Sequence, residues 1–386
     1  YSRGVCVLKY KILLPLLFLC FIIVGACCLL NIKHLSQNVS FYAVGDNLIH
    51  PAVYHDASVN NGSFDFKPMY SHLKKDIEAS DIAYINQESP IGGDSKGLSG
   101  FKRFNTPEAI AKDLSDSGFN LVNGANNHAL DQGTSGLMNE IALWKQFDDI
   151  EYFGTYNSQN NRDTVQIMNK NDVNIALLSY TYGTNGIRSD KPYYINYFDE
   201  KQIKRDVAKA KKQSDVVIVS AHWGNEGKHK PNKTQQKYAK VFADAGVDVV
   251  IGTHPHVIQP VKWIKGKDNH KTLVAYSLGN FLNGQTTGDE NNVLGGNLAF
   301  DIEKTPKQTK IKQVRWKSLV THYELEPTLY SNKKQNFKMY PLNQYNNELA
   351  RKHGLNQKNQ GNVNVERLEE ITKANIDPEF VTNESF

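Results

Sequence analysis

The chain has 386 residues and a formal net charge of +5, which is long enough for one large domain or two smaller ones with a substantial core. Arg3, Lys9 and Lys11 carry part of that charge, so the rest of the chain is close to neutral. This balance excludes a protein that binds nucleic acid mainly through its overall charge. Any function must therefore depend on local motifs.

An uncharged apolar segment at residues 12–30 predicts a transmembrane helix. As a helix it would be roughly 28 Å long, close to the hydrocarbon thickness of a bilayer. Basic residues precede it, which predicts a cytoplasmic N-terminus and an outer main domain in a single-pass cell-membrane protein. A cleaved signal peptide and a lipoprotein are the alternatives. All four cysteines lie at or before residue 28, so no disulfide can stabilise the outer domain.

Short apolar runs alternate with helix-like segments between residues 40 and 300, which predicts an α/β fold. Several runs are continuous, as in strands of sheets that are covered on both faces. The predicted strands are residues 41–44, 82–86, 121–123, 152–154, 175–180, 216–220, 247–251 and 273–277.

Helix signals lie between these strands. Thr106, Pro107 and Glu108 have the N-cap, proline and acid of a helix start, and Gly118 marks its end. Apolar residues spaced three and four apart predict two more helices, at residues 201–212 and 234–245.

The chain changes character after residue 300. Residues 298–302 and 311–316 predict two paired strands, and the chain beyond residue 326 is rich in Asn, Gln and Lys. We expect three regions: a cytoplasmic tip and membrane anchor at 1–35, a main domain at 36–326, and a polar, partly disordered extension at 327–386. Within the extension, short helices are expected near 342–352 and 365–374 and a disordered tail at 377–386.

Five polar motifs each follow a predicted strand, which is where ligand sites gather in open α/β sheets. They offer two carboxylates, an amide and four imidazoles, a donor set suited to zinc, manganese or iron rather than calcium. His254 and His256 are the strongest single signal, because their spacing in an extended loop can direct both rings at one ion. The motifs are Gly45-Asp46, Asn86-Gln87-Glu88, Asn126-Asn127-His128, His222-Trp223-Gly224 and His254-Pro255-His256.

Six segments, in this order along the chain, resemble the CapA family of membrane-anchored proteins of poly-γ-glutamate capsule synthesis. The matching segments are residues 45–46, 86–90, 127–133, 222–226, 252–257 and 276–281. This family is a divergent branch of the calcineurin-like metallophosphoesterases. The resemblance therefore implies a four-layer α/β/β/α sandwich of metallophosphatase type, preceded by the N-terminal transmembrane helix.

The resemblance implies one or two divalent ions (Mn, Zn or Fe) and assigns their ligands. The implied ligands are Asp46, Glu88 as the bridging carboxylate, Asn127, His222, His254 and His256. His128, His50 and Glu226 are the catalytic candidates. Leu48 stands where an Asp-x-His motif would have its second ligand, and His50 lies two residues on. The motif at residues 86–88 also replaces the usual Gly-Asp-x-x-Asp/Asn.

The implied function is an extracellular component of capsule synthesis or export that acts beside the membrane synthase subunits on the poly-γ-glutamate chain. It would contact membrane lipid through the N-terminal helix and would have no nucleic-acid partner. Enzymatic activity stays open, with metal-dependent hydrolysis or amide or ester processing as the candidates. The alternatives are an outward-facing phosphoesterase and a non-catalytic scaffold that holds the anionic polymer through the basic run at residues 304–317.

Overall fold

The computed structural model describes residues 36–285, 288–327 and 332–386, and two β-sheets form its core. The predicted transmembrane helix at residues 12–30 lies outside these residues. In the part of the chain that the structure describes, no helix combines the length and the apolar character needed to cross a bilayer.

The strands are numbered in chain order. They are β1 (Gln37–Leu48), β2 (Ile82–Gln87), β3 (Leu121–Asn123), β4 (Glu151–Phe153), β5 (Gln166–Lys170), β6 (Val173–Thr181), β7 (Val216–His222), β8 (Val249–Thr253), β9 (Val261–Lys265), β10 (Lys271–Ala275), β11 (Asn280–Asn283), β12 (Leu294–Lys304), β13 (Thr309–Pro327) and β14 (Asn332–Pro341).

The helices are mostly short. The α-helices span Pro51–Asp56, Lys67–Tyr70, Lys74–Glu78, Ala109–Asp116, Gly133–Trp144, Gln159–Asp163, Glu200–Ala210, Lys233–Ala245, Glu290–Val293, Asn347–Lys352, Gly354–Gln357 and Val365–Asn375. Single 3₁₀ turns span Asn60–Gly62, Asp94–Lys96, Lys267–Asn269, Leu342–Gln344 and Pro378–Phe380.

The first sheet has the strand order β14-β13-β12-β1-β2-β3-β4, with β11 also paired to β1. Its β1–β4 half is parallel, and its β12–β14 half is an antiparallel meander. The second sheet has the order β5-β6-β7-β8-β10-β9, with four parallel strands between antiparallel edges. The parallel strands of both sheets point their carboxyl ends towards the site described below.

The two sheets pack face to face, and helices pack on their other faces. In β7, Val216 and Ile218 belong to the large core that also contains β1 and β2. Val217 and Val219 instead pack against the helices Glu200–Ala210 and Lys233–Ala245. This alternation explains why β7 is buried at every position, because each face of the strand is covered.

The predicted α/β class is confirmed. All eight predicted strands overlap observed ones (β1–β4, β6–β8 and β10), and the predicted pair after residue 297 is the antiparallel pair β12–β13. Strands β5, β9, β11 and β14 were not predicted, because they are short, polar or both. The helix Gly133–Trp144 was also missed, since its first turn holds glycine, threonine and serine, which are weak helix formers.

One predicted helix start was wrong. The helix begins at Ala109, and Thr106 does not cap it. The Thr106 hydroxyl instead donates to the backbone oxygen of Ser89 at 3.1 Å. This contact connects the segment before the helix to the loop after β2, and that loop carries the predicted ligand Glu88.

The end of the chain packs on the first sheet. The expected short helices are present as Asn347–Lys352 and Val365–Asn375, and β14 pairs with β13 across the domain boundary expected at residue 326. The tail, predicted to be disordered, has buried Phe380 and a bridge between Trp316 and Val381. The expectation of disorder was wrong because this aromatic side chain anchors the segment.

Candidate metal centre

The candidate residues come together at the carboxyl ends of parallel strands in both sheets. Asp46 of β1 lies opposite Asn86 of β2, and His222 of β7 lies opposite Thr253 of β8. Glu88 follows β2 directly. The first sheet therefore supplies carboxylate and amide groups, and the second supplies imidazoles.

Two glycines allow the strand ends to approach closely. A Cβ atom on Gly45 would lie 1.9 Å from the carbonyl oxygen of Gly279, and one on Gly252 would lie 2.1 Å from that of Tyr276. The N–H of Asp46 donates to the same Gly279 oxygen at 3.0 Å. Any larger residue at Gly45 or Gly252 would push apart the backbone segments that carry the site.

Glu88 lies at the middle of the cluster and is fully buried. Its Oε1 atom is 3.5 Å from Nε2 of His222 and 3.7 Å from Nε2 of His256. Glu88, His254 and His256 each offer a ligand atom, and these atoms all lie within 4.8 Å of one another. One carboxylate therefore faces three imidazoles.

The polar atoms of this cluster fit a divalent cation. Both carboxylate oxygens of Glu88 and Nδ1 of His254 are buried without a hydrogen-bond partner among the described residues. Leaving such groups unpaired costs on the order of several kcal/mol for a carboxylate. A cation bound between them would remove that cost, and imidazole with carboxylate is the donor set of zinc, manganese and iron.

His222 connects the two sheets within the site. Its Nε2 atom is 2.9 Å from Oδ1 of Asn127, and its Nδ1 atom is 2.9 Å from the hydroxyl of Thr253. The hydroxyl fixes the ring orientation, as the outer contact of a metal-bound histidine commonly does. Asn127 thus lies beside an imidazole of the second sheet, as expected of a ligand.

Asp46 and His256 form a second, adjoining pair. Oδ2 of Asp46 is 3.2 Å from Nδ1 of His256 and accepts a hydrogen bond from the N–H of His254 at 3.2 Å. Nδ1 of His256 is also 3.0 Å from Oδ1 of Asn280. Contacts therefore link Glu88 to both the Asp46–His256 pair and the Asn127–His222 pair, and His254 lies beside Glu88 and His256.

Protonation differs sharply within the cluster. Burial, reinforced by Asp46, raises the pKa of Glu88 well above its usual value. Burial also lowers the pKa of His222 and of His254 well below the ordinary histidine value. It would lower the pKa of His256 too, but the carboxylates of Glu88 and Asp46 outweigh it and raise that pKa to about 10. Two neutral imidazoles therefore face the ion position beside a cationic third.

The loop with two histidines has an unusual backbone. His254 has φ 96° and His256 has φ 57°, so both lie in the region that favours glycine. Such conformations cost about 1–3 kcal/mol each and persist where surrounding contacts enforce them. Here the Asp46 and Asn280 contacts hold the loop so that both rings face Glu88.

His128, a predicted catalytic residue, lies at the edge of the cluster. Its Nδ1 atom is 2.7 Å from Oδ2 of the buried Asp131, and its N–H donates to Oδ1 of Asn126 at 2.9 Å. Phe104 packs edge-on against the ring, with the centroids 4.9 Å apart. Asp131 thus orients the imidazole and leaves Nε2 available for proton transfer.

The other two catalytic candidates occupy different environments. His50 is buried beside Leu48, with Nδ1 3.0 Å from the Leu48 oxygen, and burial lowers its pKa to about 3. Its ring also packs against Phe104 at 5.1 Å. Glu226 is exposed on the loop after β7, and it adds to the effect of burial and Asp46 on the pKa of Glu88. The described contacts show neither residue bonded to a predicted ligand.

Several residues of the site were missed in the sequence. Nδ2 of Asn86 donates to Asp46 at 2.8 Å, Nδ2 of Asn123 donates to Asn86 at 2.7 Å, and the Ser179 hydroxyl donates to Asn123 at 2.7 Å. This chain of hydrogen bonds, here called the amide ladder, runs across the first sheet into β6 of the second. Tyr182 is 47% exposed and lies over His254 with the ring centroids 4.5 Å apart. Asn123 could have been identified from the sequence, because it is a polar residue at the end of an apolar strand.

A buried cluster of imidazoles and carboxylates at the strand ends of an α/β sandwich defines a candidate metal-binding protein. The sequence model described as "Bacterial capsule synthesis protein PGA_cap" matches residues 40–285, more than half of the chain. The chain belongs to this family. The match includes every predicted ligand and catalytic candidate.

Two curated relatives carry similar names. The chain is 32% identical over 220 residues to the "PGA biosynthesis protein CapA" of Bacillus subtilis, covering 55% of this chain and 56% of that protein. It is 30% identical over 234 residues to the "Capsule biosynthesis protein CapA" of Bacillus anthracis, covering 58% and 55%. The match thus spans about half the length of these relatives.

Among solved structures, a novel phosphatase from Mycoplasma pneumoniae is similar with a TM-score of 0.47 and 13% identity. The similarity covers 74% of this chain and 94% of that protein.

Proposed function

We propose that this protein is a metal-binding accessory component of poly-γ-glutamate capsule synthesis or export, with a four-layer sandwich of metallophosphatase type. Membership of the capsule synthesis family and the names of the two Bacillus relatives support the capsule role. In this proposal a transmembrane helix at residues 12–30 anchors the chain, the main domain is extracellular, and the polymer and the membrane synthase subunits are its partners.

The observation that carries the metal-binding part is the environment of Glu88. A fully buried carboxylate with no hydrogen-bond partner among the described residues lies 3.5 Å from Nε2 of His222. Ligand atoms of Glu88, His254 and His256 all lie within 4.8 Å of one another. Structural carboxylates are normally paired when buried, because an unpaired charge is costly. A divalent ion is the partner that this donor set accommodates best.

When bound, such an ion would lower the pKa of a coordinated water and polarise a carbonyl or phosphoryl oxygen. The contact between His128 and Asp131 supports His128 as the group that transfers a proton, since the imidazole is held in one orientation. The exposed face of Tyr182 beside His254 supports a binding surface for substrate at the mouth of the site.

The scaffold alternative receives less support from the basic run at residues 304–317. Four of its side chains form ion pairs with carboxylates, so their charge is largely compensated. These pairs are Lys304–Asp215, Lys312–Glu303, Arg315–Asp301 and Lys317–Asp76. A polyanion would have to displace these carboxylates before it could bind there.

The test is the metal content of the purified full chain after loading with Mn, Zn or Fe. We expect one or two ions per wild-type chain and a large loss in the Glu88→Gln variant. Glu384→Gln is the matched control, because Glu384 is exposed at the end of the chain. A wild-type chain that retains none of the three metals would contradict the metal-binding proposal.

The capsule role is tested in cells. Deleting the gene should abolish or strongly reduce surface poly-γ-glutamate, and Glu88→Gln should not restore it. Normal surface polymer in the deletion strain would contradict this role. Turnover of a chromogenic phosphodiester by the metal-loaded chain would instead favour an outward-facing phosphoesterase.

A further inference from the structure

A cavity of about 560 Å³ lies beside β14, away from the metal centre. Its polar lining consists of Lys333, Lys334, Lys358, His55, Asn332 and Gln360. No carboxylate is present among the described residues that line it. The cavity is therefore a concentrated positive site of a size that accommodates a small organic anion.

Among the described residues, no carboxylate lining the cavity compensates its charge, in contrast to the basic run at residues 304–317. Burial, reinforced by the neighbouring Lys358, lowers the pKa of Lys334 to about 8. Glu326 is opposite Lys333 in the β13–β14 register but does not line the cavity. An anion that entered the cavity would thus meet lysines without displacing a carboxylate first.

Lys334 is held in a fixed position. Its Nζ atom donates to the backbone oxygens of Gly284, at 3.4 Å, and Gln285. The same atom lies 4.2 Å from the centroid of the Tyr323 ring. A charge held in this way loses little freedom when an anion binds, so less of the binding free energy is lost to ordering.

Strand β11 connects the cavity to the metal centre. It begins at Asn280, which contacts His256, and the next residue after its end is Gly284, which contacts Lys334. Four residues of extended chain span about 13 Å. A Cβ atom on Gly284 would lie 3.0 Å from the Cβ of His50. His50, one of the catalytic candidates, therefore packs against the end of β11.

We propose that this cavity is a carboxylate-binding subsite, which holds one part of an acidic polymer while a neighbouring part lies at the metal centre. This inference rests on the proposed function, because that function supplies the polymer. It adds a specific place where the polymer charge is recognised, by three lysines that lie outside the matched family region.

The test is the binding of a fluorescein-labelled linear γ-glutamate oligomer of about ten residues to the metal-loaded full chain, measured by fluorescence anisotropy. The double variant K333Q/K358Q should raise the dissociation constant about tenfold or more, because two charges are lost from one subsite. The control K145Q/K201Q removes two exposed lysines that do not line the cavity and should change the constant less than twofold. Thermal unfolding of both variants verifies that they fold.

The outcomes separate the two proposals. Wild-type protein that does not bind the oligomer would overturn both the polymer-binding function and this subsite. Wild-type binding that K333Q/K358Q leaves unchanged would overturn the subsite alone. Inorganic tripolyphosphate should compete more weakly than unlabelled oligomer, and stronger competition would overturn the assignment to carboxylates. Raising the salt concentration should weaken wild-type binding more than K333Q/K358Q binding.

Discussion

The two sheets contribute different atoms to the candidate metal centre and hold them by different means. The first sheet contributes oxygen atoms, and the amide ladder fixes Asp46 through Asn86 and Asn123. The second sheet contributes nitrogen atoms, and two of its imidazoles lie on a loop with positive φ angles at His254 and His256. The oxygen side is thus part of regular strand pairing, whereas the nitrogen side depends on an enforced loop.

Neither sheet holds a complete ligand set. Glu88 and Asp46 alone are two carboxylates that repel each other, and the three imidazoles alone lack a counter-charge. The site exists only once the sandwich is assembled, so metal binding should be coupled to the stability of the packed sheets. Mutations on the two sides should therefore have different effects in the metal-free and metal-loaded protein.

The largest effect is expected for Glu88→Gln, because Glu88 follows β2 of the first sheet and lies beside the imidazoles of the second. Metal affinity should fall on the order of a thousandfold, because the central anionic ligand is lost. The metal-free protein should instead become more stable by about 1–3 kcal/mol, since an amide is cheaper to bury than an unpaired carboxylate. Metal titration and chemical unfolding in the presence of a chelator measure the two effects.

The stability of the metal-free chain should depend on pH through Glu88. The pKa of Glu88 is raised in the folded chain, so folding takes up a proton above the ordinary glutamate pKa of about 4.3. The metal-free chain should therefore lose stability as the pH rises from that value towards the raised one, and the loss should be smaller in Glu88→Gln. Equal pH profiles for the two proteins would contradict the burial argument.

A smaller effect is expected from removing one imidazole on the nitrogen side. His222→Ala should reduce metal affinity about a hundredfold or more. The substitution removes a neutral imidazole and with it the hydrogen-bond partner of the Asn127 side chain. The matched control is His270→Ala, because His270 directly precedes β10, at the opposite end of that strand from the cluster. Calorimetric metal titration compares them, and equal affinities in the two variants would show that His222 is not a ligand.

On the oxygen side, Asp46→Asn should have a weaker effect on affinity, about tenfold to a hundredfold. It leaves Glu88 in place but removes one of the carboxylates that raise the pKa of His256. In the metal-free protein the pKa of His256 should fall from about 10, because burial lowers it and fewer negative charges then raise it. Nuclear magnetic resonance titration of the His256 ring measures the shift, and an unchanged value would exclude the Asp46 contact.

Much of this arrangement could be predicted because the central strands of both sheets are buried on both faces. Residues 216–221 are apolar except for Ser220 and end at the polar His222, so one pattern indicated both the strand and the candidate ligand. The same pattern identified Asp46, Glu88 and the pair of histidines after β8. Their convergence followed from the rule that parallel strands end at a shared edge.

The remaining features depend on tertiary contacts that have no local signature. Ser179 is an ordinary strand residue in the sequence, and its role arises only when the sheets face each other. The lysine cavity combines β14 with the segment after the helix Gly354–Gln357, which sequence spacing does not connect. Lys304–Lys317 appeared the stronger basic region because it contains six Lys or Arg residues and no acid, but carboxylates on neighbouring segments pair with several of them.

The smallest predicted effect tests whether the amide ladder transmits sheet packing to the site. Ser179→Ala removes the 2.7 Å hydrogen bond that joins β6 to Asn123 and should cost about 1 kcal/mol of stability. Tyr84→Phe is a matched control, because it removes another buried bond between the sheets, the 2.7 Å contact with Ser220. Both variants should unfold at similarly lower denaturant concentration.

Of these two variants, only Ser179→Ala should also reduce metal affinity substantially. With Ser179 absent, Asn123 loses the partner that fixes its amide, and Asn86 and Asp46 beyond it become less well oriented. Outer contacts of this kind typically change affinity tenfold or more, so we expect about tenfold for Ser179→Ala and less than twofold for Tyr84→Phe. If the two variants lose affinity equally, the oxygen side is positioned by general sheet packing, and its contrast with the loop-held imidazoles disappears.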